Sequence, residues 1–310
     1  MKIQGLIAAA YAPMYKNETL NVSIIPEYAD FLRQNNVKGV FINGSTGDFV
    51  SLSFEERKTL MNAWAKEKRS DFIIINHVGS TNLIEAKELA AHSMDKADAI
   101  SAIAPYYFNI RSLDKLLQYC KEIALTAPNL SFYYYHLPVL SGAHLNMKEF
   151  LKRVCNEIPN FAGIKFTSED LIDFKQVFEF KKGHYDILFG YDEWFLNSLP
   201  FGVRGWVGST YNHLAPLYLN IKSFFDAGDM KKASELQGMV LQFVELLGRI
   251  GGFNGGGKSY MKQLGLDLGP SRFPHATLSD KDLNIIEMEI DKLGIKEYMS
   301  ILSTKKTQIL

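Results

Sequence analysis

Cysteine is almost missing from this chain of 310 residues. Cys120 and Cys155 are the only two, and neither stands in a CxxC pair. A disulfide framework and a cysteine-bound zinc site are therefore not expected. The histidines are scattered: His77, His92, His136, His144, His184, His213 and His275 make no HxH or HExxH spacing. A local metal site is not expected on that ground. Charge of one sign is missing too. The 34 Lys and Arg balance 34 Asp and Glu, which argues against nucleic acid or an anionic membrane as partner, since both need a basic footprint. No apolar run nears the ~20 residues of a spanning helix; residues 72–75 are typical of the short runs present. Residues 1–12 carry one Lys and an early Gln before a short apolar stretch. They read as a first buried strand rather than a leader, with the cytoplasm as the expected compartment. No Pro/Ser-rich linker or low-complexity segment divides the chain.

What is present is alternation. Hydrophobic residues make up 47% and charged residues 22%, a globular balance. Short β-rich runs fall near residues 3–10, 38–43, 72–77, 98–103, 131–135, 161–166, 185–189 and 203–207, most followed by a helical pattern. After the second run, Leu60, Met61 and Trp64 share one helical face. Ser53 with Glu56 three residues on forms a capping box at its start. The units recur every ~29 residues, against about 31 for a (β/α)8 barrel of about 250 residues; a doubly wound sheet usually stops sooner. The spacing predicts a (β/α)8 TIM barrel over 1–225 and a C-terminal helical extension over 226–310. Helices are expected at 213–226, 229–249, 256–265 and 279–294, the second with an apolar stripe of Leu236, Met239, Val240, Phe243 and Leu247.

A barrel places chemistry at the C-terminal ends of its strands, and four such places are loaded. In Gly163-Ile164-Lys165-Phe166-Thr167-Ser168, alternation puts Phe161, Gly163 and Lys165 on one face. A lysine buried there favours its neutral amine, a nucleophile toward carbonyls; the ordinary alternative is an ammonium that snorkels to water. In Phe132-Tyr133-Tyr134-Tyr135-His136-Leu137-Pro138, Tyr133 and Tyr135 share a face, and a phenol at a strand top can relay protons. Tyrosine is also simply a good strand residue. The turn Asn43-Gly44-Ser45-Thr46-Gly47-Asp48 can cup a carboxylate or phosphate with backbone N–H groups, or be only a turn. Gly190-Tyr191-Asp192-Glu193 and Gly208-Ser209-Thr210 can hold a polyhydroxylated ligand, or be helix starts favoured by the macrodipole.

Gly252-Phe253-Asn254-Gly255-Gly256-Gly257-Lys258-Ser259 fits GxxxxGK[ST]. That nucleotide-binding pattern needs a buried strand before it, and a helix precedes it here. It reads as a helix–helix loop with glycine at the cap and hinge.

Taken in order, Gly44-Ser45-Thr46-Gly47 with Glu55-Glu56-Arg57, Pro105-Tyr106-Tyr107, Tyr135-His136-Leu137-Pro138, Gly163-Ile164-Lys165 and Gly208-Ser209-Thr210 resemble the N-acetylneuraminate lyase / dihydrodipicolinate synthase family of pyruvate-dependent class I aldolases, from about residue 3 to at least 212. The resemblance implies Lys165 as Schiff-base lysine and Tyr135 as proton shuttle. It implies Ser45 and Thr46 as the pyruvate-carboxylate loop, and Tyr107 as a tyrosine lent to a neighbouring subunit, hence a homo-oligomer, a tetramer favoured. Dihydrodipicolinate synthases look like Tyr-xx-Pro-x-Arg, where the arginine holds a substrate carboxylate. This chain has Leu140 there, and Pro138-Val139-Leu140-Ser141-Gly142 looks like the sialic acid lyases. That branch implies Thr167, Gly190, Asp192, Glu193 and Ser209 as the pocket for the sugar chain. The implied reaction is reversible cleavage of N-acetylneuraminate to pyruvate and N-acetylmannosamine without metal or organic cofactor. The alternatives are another aldolase or dehydratase of the family acting on a 2-keto-3-deoxy sugar acid, and a non-catalytic sugar-acid-binding barrel. Asp48 departs from the family's usual Glu: the charge survives, one methylene shorter.

Overall fold

The computed structural model describes residues 2–302. Eight parallel strands close into a barrel in sequential order: β1 (Gly5–Ala9), β2 (Gly39–Ile42), β3 (Ile73–His77), β4 (Ala99–Ile103), β5 (Ser131–His136), β6 (Phe161–Phe166), β7 (Asp186–Phe189) and β8 (Gly205–Gly208). Each matches a run expected from the sequence to within two residues at either end. The runs are apolar on both faces because a barrel wrapped in helices buries both. One face packs inside, where Ile7, Phe41, Ile75, Ala99, Ile103, Tyr133, Tyr135, Leu188 and Val207 cluster. Leu6, Ile42, Ile74, Ile100, Tyr134, Ile164 and Phe166 point out to the helices.

The helices are α1 (Ile25–Gln34), α2 (Phe54–Ala65), α3 (Leu83–Ser93), α4 (Leu113–Ala124), the single-turn α5 (Pro138–Ser141), α6 (Met147–Glu157), α7 (Leu171–Phe178), the short α8 (Phe195–Ser198) and α9 (Tyr211–Asp226). The capping box of α2 forms as expected: Ser53 N–H donates to Glu56 Oε2 at 2.8 Å, and Glu56 N–H to Ser53 Oγ at 3.2 Å. Leu60, Met61 and Trp64 of that helix are buried. After the barrel come α10 (Met230–Arg249), α11 (Lys258–Tyr260) and α12 (Asp280–Leu293). In α10, Leu236, Val240, Phe243 and Leu247 are buried, while Met239 is half-buried. Residues 303–310 of the expected extension lie outside the described residues. Among the described residues no helix is long and apolar enough to cross a membrane.

Two local expectations fail. The helix over 256–265 shrinks to α11, preceded by a π-helical turn at Phe253–Gly257. Beyond Tyr260 the chain tightens into turns with i→i+3 bonds, such as Lys262 N–H to the Ser259 carbonyl and Gln263 N–H to the Tyr260 carbonyl. And Phe161 does not share the inner face with Lys165. It packs in the outer cluster, while Ala162 meets the inner one. The cause is a β-bulge: Phe132 pairs with Phe161 but Tyr133 with Gly163, so the extra residue shifts the parity of everything before it.

Candidate active site

Beyond the bulge the register is regular and places Tyr135 of β5 directly beside Lys165 of β6. Both are inward and near the C-terminal ends of their strands. Gly163, two residues before the lysine, is required by a close approach: a Cβ there would lie 1.7 Å from the Asp186 carbonyl oxygen. Lys165 is only 4% exposed. Its Nζ lies 3.8 Å from the centre of the Tyr135 ring and 4.3 Å from that of Phe41. Among the described residues no carboxylate comes within ion-pair distance of it. An amine held against two rings without a counter-ion is poised to meet a carbonyl.

The lysine opens into a cavity of about 370 Å³ lined by Ser45, Thr46, Tyr135, Lys165, Thr167, Gly190, Asp192, Glu193 and Ser209 among others. Its size lies within the ~300–1,000 Å³ range of ligand pockets. The structure thus brings every residue of the expected set to one cavity except Tyr107, which is 85% exposed and lines neither this cavity nor its neighbour.

The rim is held by strand-like bonds that continue past the strands. Thr167 N–H donates to the His136 carbonyl and Gly190 N–H to the Phe166 carbonyl, both at 2.8 Å. Thr46 Oγ1 and Ser209 Oγ lie 2.6 Å apart and tie the loops after β2 and β8 together. Asp192 is buried, and one of its oxygens, Oδ2, accepts from Thr210 N–H at 2.9 Å and Oγ1 at 2.7 Å. Its other oxygen lies over Gly208, where a Cβ would stand 1.8 Å away, so no other residue fits beneath it. Burial raises the Asp192 carboxyl above its usual range, against those hydrogen bonds and the charge of Lys165. Burial, with the charge of Asp192, pushes Glu193 up to about 7. Asp192 Oδ1 and Thr167 Oγ1 have no hydrogen-bond partner within the described structure. Buried polar atoms of that kind cost stability unless a ligand or water serves them.

Several site residues escaped the sequence reading. His77 closes β3 beneath Tyr135, with ring centres 6.0 Å apart. Its Nδ1 donates to the Asn43 carbonyl at 2.7 Å and its Nε2 accepts from Ile103 N–H at 3.1 Å. These bonds fix the neutral tautomer, and burial holds the ring well below the usual imidazole range. The alternation Ile73, Ile75, His77 along β3 was the available signal. His136, next to Tyr135, faces outward, packed against Phe166 at 5.0 Å. Gly251, Gly252, Phe253 and Asn254 line the cavity with His275. The glycine-rich segment read as a helix–helix connection therefore also roofs the site. Nothing in its local pattern tells which surface it crosses.

A barrel with an unpaired lysine at the top of β6, a tyrosine beside it and a hydroxyl-rich loop opposite defines a protein built for imine chemistry on a keto acid. The Dihydrodipicolinate synthetase family model matches residues 2–293, and the chain belongs to that family. N-acetylneuraminate lyase A of Xenopus laevis is 41% identical over 278 residues, covering 88% of this chain and 90% of that one. The human N-acetylneuraminate lyase is 36% identical over 307 residues, covering 97% and 95%. The solved structure of the Proteus mirabilis N-acetylneuraminate lyase superposes with a TM-score of 0.90 at 33% identity, covering 94% of this chain and 99% of the other.

Proposed function

We propose that this chain is a class I aldolase that reversibly cleaves N-acetylneuraminate into pyruvate and N-acetylmannosamine through an imine on Lys165. The observation that carries this reading is the buried, unpaired Nζ against Tyr135, facing a cavity whose far wall holds unspent polar groups. The relatives named above carry this activity in their names.

In the cleavage direction Lys165 Nζ attacks the C2 ketone of the open-chain sugar acid, and loss of water leaves an iminium. Tyr135 relays the proton of the C4 hydroxyl: its phenol oxygen accepts that proton as its own O–H proton passes to the substrate carboxylate. The C3–C4 bond breaks, its electron pair runs into the iminium to give an enamine, and C4 leaves as the aldehyde of N-acetylmannosamine. Protonation at C3 and hydrolysis at C2 release pyruvate and return the amine. Ser45 and Thr46 hold the keto-acid carboxylate throughout, so the reacting carbon stays aligned with Nζ. Thr167, Gly190, Asp192, Glu193 and Ser209 take the hydroxyl chain.

The chain acts as a homo-oligomer, a tetramer favoured. Support comes from Tyr107 and Phe108, which are 85% and 86% exposed and stack edge to face at 5.0 Å. A second cavity of about 300 Å³, lined by Phe49, Val50, Ile103, Tyr106 and Leu140, suits an aromatic side chain from a second copy. Exposed apolar groups in such a cluster are typical of interfaces. Two free cysteines suit the reducing cytoplasm.

Condensation of pyruvate with N-acetylmannosamine, followed against pH, tests the sugar side. Glu193 loses its proton near 7, and the anion accepts hydroxyl donors more strongly than the acid does. The KM for N-acetylmannosamine is expected to fall severalfold as pH rises through 7, and Glu193→Gln to flatten that step. A wild-type KM with no pH dependence would remove Glu193 from sugar binding. Stability runs the other way. Because the folded value lies above the ordinary 4.5, Glu193 stabilises the fold fully below that value, and the contribution is lost as pH rises through 7. Glu193→Gln should therefore melt above wild type at about pH 8.

A further inference from the structure

The roof over the cavity reaches the carboxylate loop through Asn254. Asn254 Nδ2 donates to the Ser45 carbonyl oxygen at 3.0 Å. That carbonyl belongs to the peptide whose other end is Thr46 N–H. The peptide is planar and trans, so the N–H points opposite to the C=O. Fixing the carbonyl on the roof side fixes the direction of Thr46 N–H. Within the loop the same carbonyl also accepts from Asp48 N–H at 3.0 Å, so Asn254 is its second donor, the one that comes from the roof.

Asn254 is itself held from two sides. Ser271 Oγ donates to its carbonyl. His275 Nε2 lies 3.4 Å from its Nδ2 and 3.7 Å from Asp48 Oδ1. A carbonyl accepts only from the amide nitrogen, so the Ser45 carbonyl sets the amide's orientation, with the His275 ring packed beside that nitrogen. Arg272, three residues before His275, donates to the Ser51 carbonyl at 2.8 Å and pairs with Glu56. The segment from Asn254 to His275 is thus fastened to the loop after β2 at several points.

We propose that Asn254 is a positioning residue: it aims Thr46 N–H at the keto-acid carboxylate, and His275 holds its amide in place. This rests on the reading of Ser45 and Thr46 as the carboxylate loop. Asn254→Ala removes the roof donor and leaves the Ser45 carbonyl only Asp48 N–H. Asn254→Asp keeps the shape but sets an oxygen against the Ser45 carbonyl. His275→Leu removes the polar ring nitrogen beside the amide, and His275→Gln keeps a polar group there.

The test is the pyruvate concentration that half-saturates borohydride trapping on Lys165, read by intact mass, alongside the KM for N-acetylmannosamine and the melting temperature. One net hydrogen bond is worth about a threefold to tenfold change. Half-saturation is expected to rise by that factor in Asn254→Ala and by at least as much in Asn254→Asp. The KM for N-acetylmannosamine should stay near wild type. His275→Leu should show a smaller rise, which His275→Gln reverses. Half-saturation within twofold of wild type in both Asn254 variants overturns the inference. So does a joint rise of both substrate constants with a fallen melting temperature, which marks a purely structural role. Absence of trapping in wild type removes the imine reading and this inference with it; wild-type trapping with unmoved variants removes the inference alone.

Discussion

Replacing Lys165 by alanine is expected to abolish the borohydride-stable pyruvate adduct and to lower turnover by a factor on the order of 10³ or more. The size of the effect follows from the position of the side chain. Among the described residues no other amine lines the cavity, so none of them can take over as the nucleophile. The fold should tolerate the change. Lys165 makes no ion pair among the described residues, so its removal breaks none, and Asp192, which feels its charge, keeps both hydrogen bonds from Thr210. What is lost is packing of the stem against Phe41 and Tyr135. Near-UV circular dichroism should be retained. A stable adduct on another residue of the variant would refute the lysine assignment.

Tyr135→Phe is expected to slow turnover by about 10²–10⁴, the range of general acid–base catalysis, while pyruvate is still trapped on Lys165. Only one oxygen is removed. The ring keeps its edge contacts with Phe41 at 5.4 Å and His77 at 6.0 Å, so the lysine keeps its neighbour and the barrel its packing. The two variants therefore separate the steps: without the amine no adduct forms, and without the phenol the adduct forms but the C3–C4 bond is made and broken slowly. Near-normal turnover in Tyr135→Phe would take this residue out of the proton path.

Much of the barrel was legible because its signals are local. Each strand is a short apolar run bounded by turn residues, and the regular distance from one run to the next tells a closed eight-strand barrel from an open sheet. Lys165 and Tyr135 could be placed inside because alternation counts reliably from the strand tops. It does not count through the bulge at Ala162, where one residue reverses the parity and moves Phe161 outward. Bulges depend on how two strands meet, which one strand's pattern does not carry.

The cavity walls were legible only in part, for the same reason. The loops after β2, β6, β7 and β8 belong to the barrel's own repeat, so their position at the rim followed from the fold. Phe253, Asn254 and His275 come from the extension, more than forty residues beyond the last strand. Their place over the rim is set by tertiary contacts such as Asn254 on the Ser45 carbonyl and Arg272 on Glu56. Tyr107 marks the opposite limit: its motif stands out in the sequence, yet within one copy of the chain it is exposed and lines neither of the two cavities described above. His77 was hidden in plain view, since a lone histidine at the end of an isoleucine run carries no signal of the two hydrogen bonds that fix its ring.

The central claim is that this barrel cleaves a sialic acid through Lys165, and pyruvate release from N-acetylneuraminate by the purified protein tests it most directly. The account predicts steady release by wild type, with one N-acetylmannosamine per pyruvate, and none by Lys165→Ala measured beside it. Wild-type protein that traps pyruvate on Lys165 yet releases none from N-acetylneuraminate would contradict the assignment and direct the search to other 2-keto-3-deoxy sugar acids.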